Sequence, residues 1–577
     1  MALRRPLRPA VLAALFAATL ILSAQSPTPA AKEQPKPPAE EGIPVDFPLL
    51  VEKCSACHQK DEKGNLTRIS WERTTPEGWQ QAIKRMVRLN GVQLSPDEAR
   101  SIVRYLSNHH GLAPEEARPA LYIAERRTID ETVPDDSLRQ ACVVCHPHGR
   151  AMSWRRSKQE WELLVAMHLG YFPVAEFQGF RRPPPPPDAP PPAPGADTRD
   201  PADRAVDFLA KSYPLQTPEW SAWRAAMRPP RLAGRWLVLG SQLGRGRVYG
   251  EVVIQPASQP DEFTTAARLF YPAGGKTVTR SGRSIIYTGY AWRGRSTAQD
   301  PAEPKEWREV MMVSRDQSLI EGRWFWGGYD EFGIDVTLRR AGNDPALLGV
   351  DLAALASGAT AQRLRIFGDR LPTDLQMEDL DFGSGLTVSR ILSQTPETLT
   401  VEVAVAPSAV PGQRDLAVRR AVLTGAVAVY DKIDYLKVLP EAALARLGGT
   451  THPKGYQQFE ARAFHRGADQ KPNTPDDVDL GPVEVDWSVE EFFAVYGDDD
   501  KDFVGSLSPT GLFTPALEGP NPKRKFSRNN YGDVWVVATC QPKTGETARH
   551  GKPATGRAHL VVTIPLYVRW DQPEVSQ

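Results

Sequence analysis

Two spacings of apolar residues divide this chain. Over residues 45–228 the apolar positions recur at helical period, as in "RTTPEGWQQAIKRM" (Arg73 to Met86), "YLSNHHGL" (Tyr105 to Leu112), "WELLVAMH" (Trp161 to His168) and "FLAKSYPL" (Phe208 to Leu215). After "SAWRAAMRPPRLAG" the spacing changes to strict alternation. "RWLVLGSQLGRGRVYGEVVIQ", "SIIYTGYAWRGRS", "EVMMVSRDQSLIEGRWFWGGY" and "FGIDVTLRRA" read as strands joined by short Gly- and Asp-containing turns. They predict a β-barrel at 229–343. A second run ("LRIFGDRLP", "LTVSRILSQTPETLTVEVAVA", "RDLAVRRAVL") predicts an Ig-like β-sandwich at 344–440, and a third ("YQQFEARAFHR", "VEVDWSV", "DVWVVATC", "RAHLVVTIPLYVRW") another at 441–577. The expected fold is therefore an all-α domain followed by three antiparallel β barrel or sandwich domains. A length of 577 residues suits about four domains.

The N-terminus adds a compartment. Arg4, Arg5 and Arg8 precede the apolar run Ala10 to Ala24, with small residues around Ala24 and Ser26. The run is short for a bilayer span, so residues 1–24 read as a cleaved signal peptide, an uncleaved anchor being the alternative. Residues 25–44 read as a disordered leader, and no later stretch predicts a membrane span. Export to the periplasm follows. Charge excludes one class of partner: 70 basic and 70 acidic residues cancel, which argues against nucleic acid or an anionic membrane.

Within the helical region, "CSACH" (Cys54 to His58) and "CVVCH" (Cys142 to His146) are two copies of C-x-x-C-H. In this motif two thiols one turn apart form thioethers with haem vinyl groups, and the histidine reaches the iron. The copies lie too far apart for a zinc ribbon. The expectation is two covalent haem c groups, on Cys54 and Cys57 and on Cys142 and Cys145, with His58 and His146 as proximal ligands. Of five cysteines only Cys540 is left over, most simply a buried strand residue.

The two halves repeat. Trp79 stands seven residues before Met86, and Trp161 seven before His168; each is followed by a closing amphipathic helix. Met86 and His168 thus occupy equivalent positions and become the expected distal ligands, with Met167 the competitor beside His168. His109 and His110 align with Ser212 and Tyr213 and read as a solvated helix end; His148 is too close to His146 to reach the opposite side of the iron. The second half carries an exposed proline-rich insertion at 181–200. Two acidic stretches, Gly467 to Gly481 and Gly497 to Phe503, suggest Ca²⁺ but lack EF-hand spacing and read better as solvated turns. Trp324 and Trp326, on one face of a strand, read as core or interface anchors.

The order of these parts, with "WELLVAMHLGYFP", "EGRWFWGGYDEFGIDVTLRR" and "NNYGDVWVV", resembles the alpha subunit of quinohemoprotein amine dehydrogenase across nearly the whole mature chain. The resemblance implies a periplasmic heterotrimer that oxidatively deaminates primary amines. It places a cysteine tryptophylquinone on a small cross-linked gamma subunit beside a β-propeller beta subunit. This chain would then hold no catalytic residue and relay electrons to an external cytochrome c or copper protein. The sequence itself has no phosphate-binding glycine loop and no Cys–Trp supply for a quinone of its own. The rival readings are a free-standing dihaem carrier, the redox subunit of another periplasmic dehydrogenase, and a haem peroxidase or gas sensor; a distal ligand available in each half argues against the last.

Overall fold

The computed structural model describes residues 40–125, 143, 145–181, 186–191, 193–493, 498–540 and 553–565. The expected signal peptide, most of the leader and Cys142 lie outside the described residues. Among the described residues, no helix is long and apolar enough to cross a membrane.

The N-terminal region is built twice on one plan. Its first half contains α1 (Pro48–Cys54), β1 (Glu72–Thr74), α2 (Pro76–Asn90) and α3 (Pro96–His109), followed by a short α4 (Pro114–Ala117). In its second half come α5 (Gly149–Met152), β2 (Trp154–Arg156), α6 (Lys158–Tyr171) and α7 (Pro201–Ser212), and α8 (Pro218–Ala226) leads out. Thr75 caps α2 and Ser157 caps α6, each side chain accepting from the backbone N–H three residues on. Gly78 is needed in the first of these turns: a Cβ there would stand 2.2 Å from Thr74 Oγ1. Both tryptophans then tie their helix to the closing one. Trp79 donates from Nε1 to the His110 carbonyl (2.9 Å), and Trp161 to the Tyr213 carbonyl (3.1 Å). The same two carbonyls also accept the backbone N–H of Thr74 and of Arg156.

The described part of this region is only partly helical, so the all-α expectation holds in part. β1 and β2 pair antiparallel across the two halves, Arg73 opposite Arg155. Three-residue strands leave no readable alternation, which is why the sequence does not reveal them.

Eight strands, β3 (Gly234–Gln242) through β10 (Phe332–Arg340), close into a barrel in which each strand pairs with its chain neighbours and β10 returns to β3. Its interior holds Trp236, Trp292, Trp307 and Trp324, together with two buried charges, Arg280 and Glu309. Arg280 stacks over the Trp307 ring (3.8 Å) and donates to the Ser296 and Lys305 carbonyls. Glu309 accepts from Trp292 Nε1 (2.9 Å), and burial raises its carboxyl above the ordinary range. Trp324 and Trp326 both stack on Trp307, so Trp324 is core while Trp326 is half-buried at the rim.

The first half and the barrel share one continuous hydrophobic core, whereas the second half has a small core of its own around Trp161, Val165, Val206 and Leu209. Hydrogen bonds and an ion pair cross the interface of the first half with the barrel. Thr288, held at φ 55, donates from Oγ1 to the Ser107 carbonyl and from its N–H to Asn108 Oδ1. Tyr290 Oη donates to the Leu112 carbonyl (3.1 Å), and fully buried Glu77 pairs with Arg293. Left-handed backbone is costly for a β-branched threonine, and these bonds hold it there.

The third unit is a sandwich of two four-stranded sheets, β11 (Ala346–Val350), β13 (Gln362–Asp369), β16 (Thr398–Val405) and β15 (Leu386–Gln394) over β12 (Ala354–Ala356), β18 (Ala421–Tyr430), β17 (Gly412–Val418) and β14 (Leu380–Asp381). Between β19 (Tyr435–Leu439) and β28 (Ala554–Thr563), the fourth unit forms three sheets, one of four strands and two of three. Both are chiefly antiparallel, with one short parallel pair each: β12 with β18, and β20 (Ala442–Arg446) with β28. Cys540 ends β27 (Gly532–Cys540) and is half-buried rather than buried. The described residues of the proline-rich insertion are exposed.

One ion cluster joins the two halves of the N-terminal region. Arg73, fully buried, donates to both oxygens of Glu116 (2.9 and 3.0 Å), of which Oε1 also accepts from Arg155 (3.1 Å) and Thr217 (2.8 Å). Burial pushes Glu116 up, but Arg73 and Arg155 hold it below the ordinary carboxylate range. Glu116→Gln leaves two guanidinium groups buried without an anion and should cost about 3–5 kcal/mol, read as a shifted urea unfolding midpoint. An unchanged midpoint would show that the cluster does not hold the region together.

Candidate haem sites

The first motif follows directly from a helix end. α1 stops at Cys54, and the next turn is closed by Cys57 N–H and His58 N–H, both donating to the Cys54 carbonyl (3.2 and 2.9 Å). Cys54 is half-buried and Cys57 exposed; burial raises the Cys54 thiol, and Cys57 adds to the effect. His58 directs Nδ1 to the Thr67 carbonyl (2.8 Å). A carbonyl on Nδ1 fixes the proton there and leaves Nε2 as the basic nitrogen, the usual second partner of a metal-bound imidazole.

The second site uses the same device twice. His146 directs Nδ1 to the Pro147 carbonyl (2.9 Å), and His168, in the last turn of α6, to the Leu164 carbonyl (2.8 Å). Their ring centroids lie 6.4 Å apart. Metal–imidazole bonds of about 2 Å, plus roughly half a ring at each end, give a centroid separation of about 6 Å for two imidazoles on opposite sides of one ion. The donor set and its spacing fit a haem iron. Cys145 is exposed in the same turn.

Met86 lies half-buried in the last turns of α2, where its sulfur meets Asn90 Nδ2 at 3.7 Å. Met167 is also half-buried, one residue from His168 on α6. Apolar side chains stand open to solvent beside both expected distal ligands: Val87 and Leu89 (78 % exposed) next to Met86, and Leu163, Tyr171 (79 %), Phe172 and Val174 around His168. A flat apolar macrocycle is what such surfaces would cover.

Two histidine expectations sort differently. His148 is buried and pairs through Nε2 with Tyr213 Oη (3.1 Å), a structural role in keeping with its exclusion as a ligand. His110 is a correction: it is fully buried rather than solvated, edge-on to Trp79, while His109 is exposed and stacks on Tyr105. Two adjacent histidines after an amphipathic helix look polar in sequence, and the packing of the barrel against that helix end decides otherwise.

Between the sites lies a seam that sequence reasoning did not single out. Trp154 on β2 is edge-on to Trp79 at 6.0 Å, and Arg156 stacks on Trp154 and Trp161. Around them Arg156 pairs with Glu72, and Arg68 with Glu160 (2.6 Å). Burial, then the nearby Glu72 carboxylate, pushes Glu160 up to about 7. The only trace in the sequence is the consecutive arginines of "WRRSKQEW".

This geometry defines a class: a haem-binding redox unit seated on a series of β-domains. Comparison with known families then supplies the particular one. Four family models match in chain order: the haem-binding region of the quinohemoprotein amine dehydrogenase alpha subunit at residues 47–183, and its domains II, III and IV at 229–341, 344–431 and 436–575. The chain belongs to the quinohemoprotein amine dehydrogenase alpha-subunit family. As such it is a haem-binding electron-transfer subunit of an amine dehydrogenase, one that works with other subunits. No curated protein matches. Among solved structures, the redesigned β-barrel mFAP1 bound to DFHBI is 16 % identical, over 19 % of this chain and 94 % of that one, at a TM-score of 0.17. Human protocadherin-24 EC1-2 is 11 % identical, over 38 % of this chain and 98 % of that one, at 0.14.

The buried imidazole yields a pH test. Loss of hydration, then the neighbouring His109, lowers His110 from 6.5 to about 3. A depressed folded value means that its contribution to stability is complete above the unfolded value and is lost as pH falls from 6.5 toward 3, at up to about 1.4 kcal/mol per pH unit. His110→Tyr copies the equivalent residue of the second half. The stability of this variant, measured by urea unfolding from pH 7 to 4, should fall less steeply than that of the wild type; parallel curves would refute the assignment.

Proposed function

We propose that this chain is the dihaem electron-transfer subunit of a periplasmic quinohemoprotein amine dehydrogenase. One haem c is attached through Cys54 and Cys57 and held between His58 and Met86. The other is attached through Cys142 and Cys145 and held between His146 and His168. The observation that carries the reading is the approach of His146 and His168, each with Nδ1 bound to a backbone carbonyl and their rings set at the separation a shared iron requires. The repeated Trp–carbonyl tie supports an equivalent site in the first half.

When bound, each haem would supply a one-electron acceptor, so that a pair of them would match the two electrons an amine oxidation releases. The residues of this chain fix the geometry. Backbone carbonyls set the tautomers of His58, His146 and His168; Thr75 and Ser157 start the helices that carry the distal side chains; the exposed apolar groups beside Met86 and His168 offer surface that a bound macrocycle would cover. Carbon chemistry belongs to a cysteine tryptophylquinone on a small gamma subunit beside a β-propeller beta subunit. A periplasmic cytochrome c or copper protein takes the electrons onward.

The test is reduction by substrate. The chain purified with its partner subunits should show haem reduction on addition of a primary amine, approaching two electrons per amine, and the isolated chain should show none. Amine-dependent reduction of the isolated chain, or a purified chain without haem, would overturn the reading.

A further inference from the structure

The fourth unit holds one aromatic ring almost wholly out in solvent on a strained backbone. Phe526 is 91 % exposed at the tip of "NPKRKFSR" (Asn521 to Arg528), and its backbone is left-handed (φ 61, ψ 22). Ser527 follows at φ 52. Consecutive non-glycine residues in that region are uncommon and persist only where the surroundings over-determine them.

Here the surroundings do. Arg524, 2 % exposed, donates from Nη1 to the Asn529 and Tyr531 carbonyls (both 2.9 Å) and from Nη2 to Asp499 (2.7 Å) and Asp500. Arg528 reaches Asp499 and Asp500 from the other end of the loop. Asp500 is itself locked: it accepts from the Asp533 N–H (3.2 Å) and presses against Gly532, where a Cβ would stand 2.1 Å from its carboxyl carbon. Asn521 Nδ2 donates to Asn530 Oδ1 (2.7 Å) and closes the base of the loop. The stretch Asp498 to Asp500, read in sequence as a solvated turn or a Ca²⁺ loop, is thus the anionic brace of the loop.

An exposed phenylalanine by itself needs no explanation. This one differs because two left-handed residues and a buried arginine lock it in place. Lys523 and Lys525 flank it, and no described residue offers either a carboxylate; Lys525 Nζ lies 5.3 Å from the Phe526 ring. Leu517 and Tyr531, both exposed, bracket the base of the loop. A rigid aromatic knob with a cationic rim is the form of an interface anchor, paid for in advance in conformational entropy.

We propose that the Phe526 loop docks this chain onto another subunit of its complex, the ring entering an apolar pocket rimmed by carboxylates that meet Lys523 and Lys525. The proposal rests on the functional reading only in requiring a partner subunit. Its test uses the holo-complex and the subunits separated from it. Phe526→Ala should weaken reassociation at least tenfold, mainly through faster dissociation, with haem spectrum and thermal midpoint unchanged, and Phe526→Tyr should restore most of it. A double change, Lys523→Glu with Lys525→Glu, should slow association and weaken its salt dependence. Unchanged affinity in Phe526→Ala, while the wild-type complex remains intact and amine-active, overturns the docking site alone. So does a loss seen only in binding to anionic phospholipid vesicles or in self-association. If the wild-type chain associates with no other subunit, both the docking site and the functional reading fall.

Discussion

The buried side chain of Arg73 is the constraint on which the N-terminal architecture depends. A guanidinium presents its N–H groups in a fixed planar fork, and burial obliges each of them to find an acceptor. Those of Arg73 go to the Leu215 carbonyl, which ends the second half, to the Gly111 carbonyl, which ends the first, to Glu116 on α4 and to Thr217 at the start of α8. Trp220 of α8 packs against its face at 4.9 Å. One residue therefore sets the relation between the two closing helices. The His110 and Tyr213 carbonyls lie one and two residues from the Gly111 and Leu215 acceptors, and they seat Trp79 and Trp161, hence α2 and α6, the helices that carry Met86 and His168.

The duplication is symmetric in plan and asymmetric in support. The first half is sealed to the barrel by a common core and by the Glu77 and Arg293 pair, whereas the second stands on a small core around Trp161 and leaves the end of α6 open. Equivalent positions have diverged accordingly. Where the second half has a Tyr213 hydroxyl bound to His148, the first has the His110 ring buried against Trp79. On the proposed assignment, the two sites would differ in distal ligand, burial and nearby charge, each of which tunes a haem's reduction potential.

What the sequence discloses and what it hides separate along a physical line. The haem motifs, the tryptophan spacing and the alternation of the barrel strands are local patterns and can be read directly. Features created by contacts between distant segments cannot. β1 and β2 have three residues each and exist because they pair with one another; β12 and β20 run parallel to strands about 70 and 120 residues further on. The burial of His110 is decided by Thr288 and Tyr290 packing on the end of α3, and the aspartate stretch at 498–500 is explained only by Arg524 and Arg528 folding back onto it. Nothing in the immediate neighbourhood of these residues signals those partners.

The central claim, that one duplicated scaffold holds two unlike haems, is tested most directly by spectroscopy of the fully oxidised protein. Low-temperature paramagnetic resonance combined with near-infrared magnetic circular dichroism reports the axial ligands of each low-spin ferric haem. Two haems per chain are expected, one showing the methionine sulfur-to-iron charge-transfer band and the other the signature of two imidazoles. Two identical ligand sets, or a single haem, would contradict the assignment of Met86 and His168 and the equivalence of the two halves from which it was drawn.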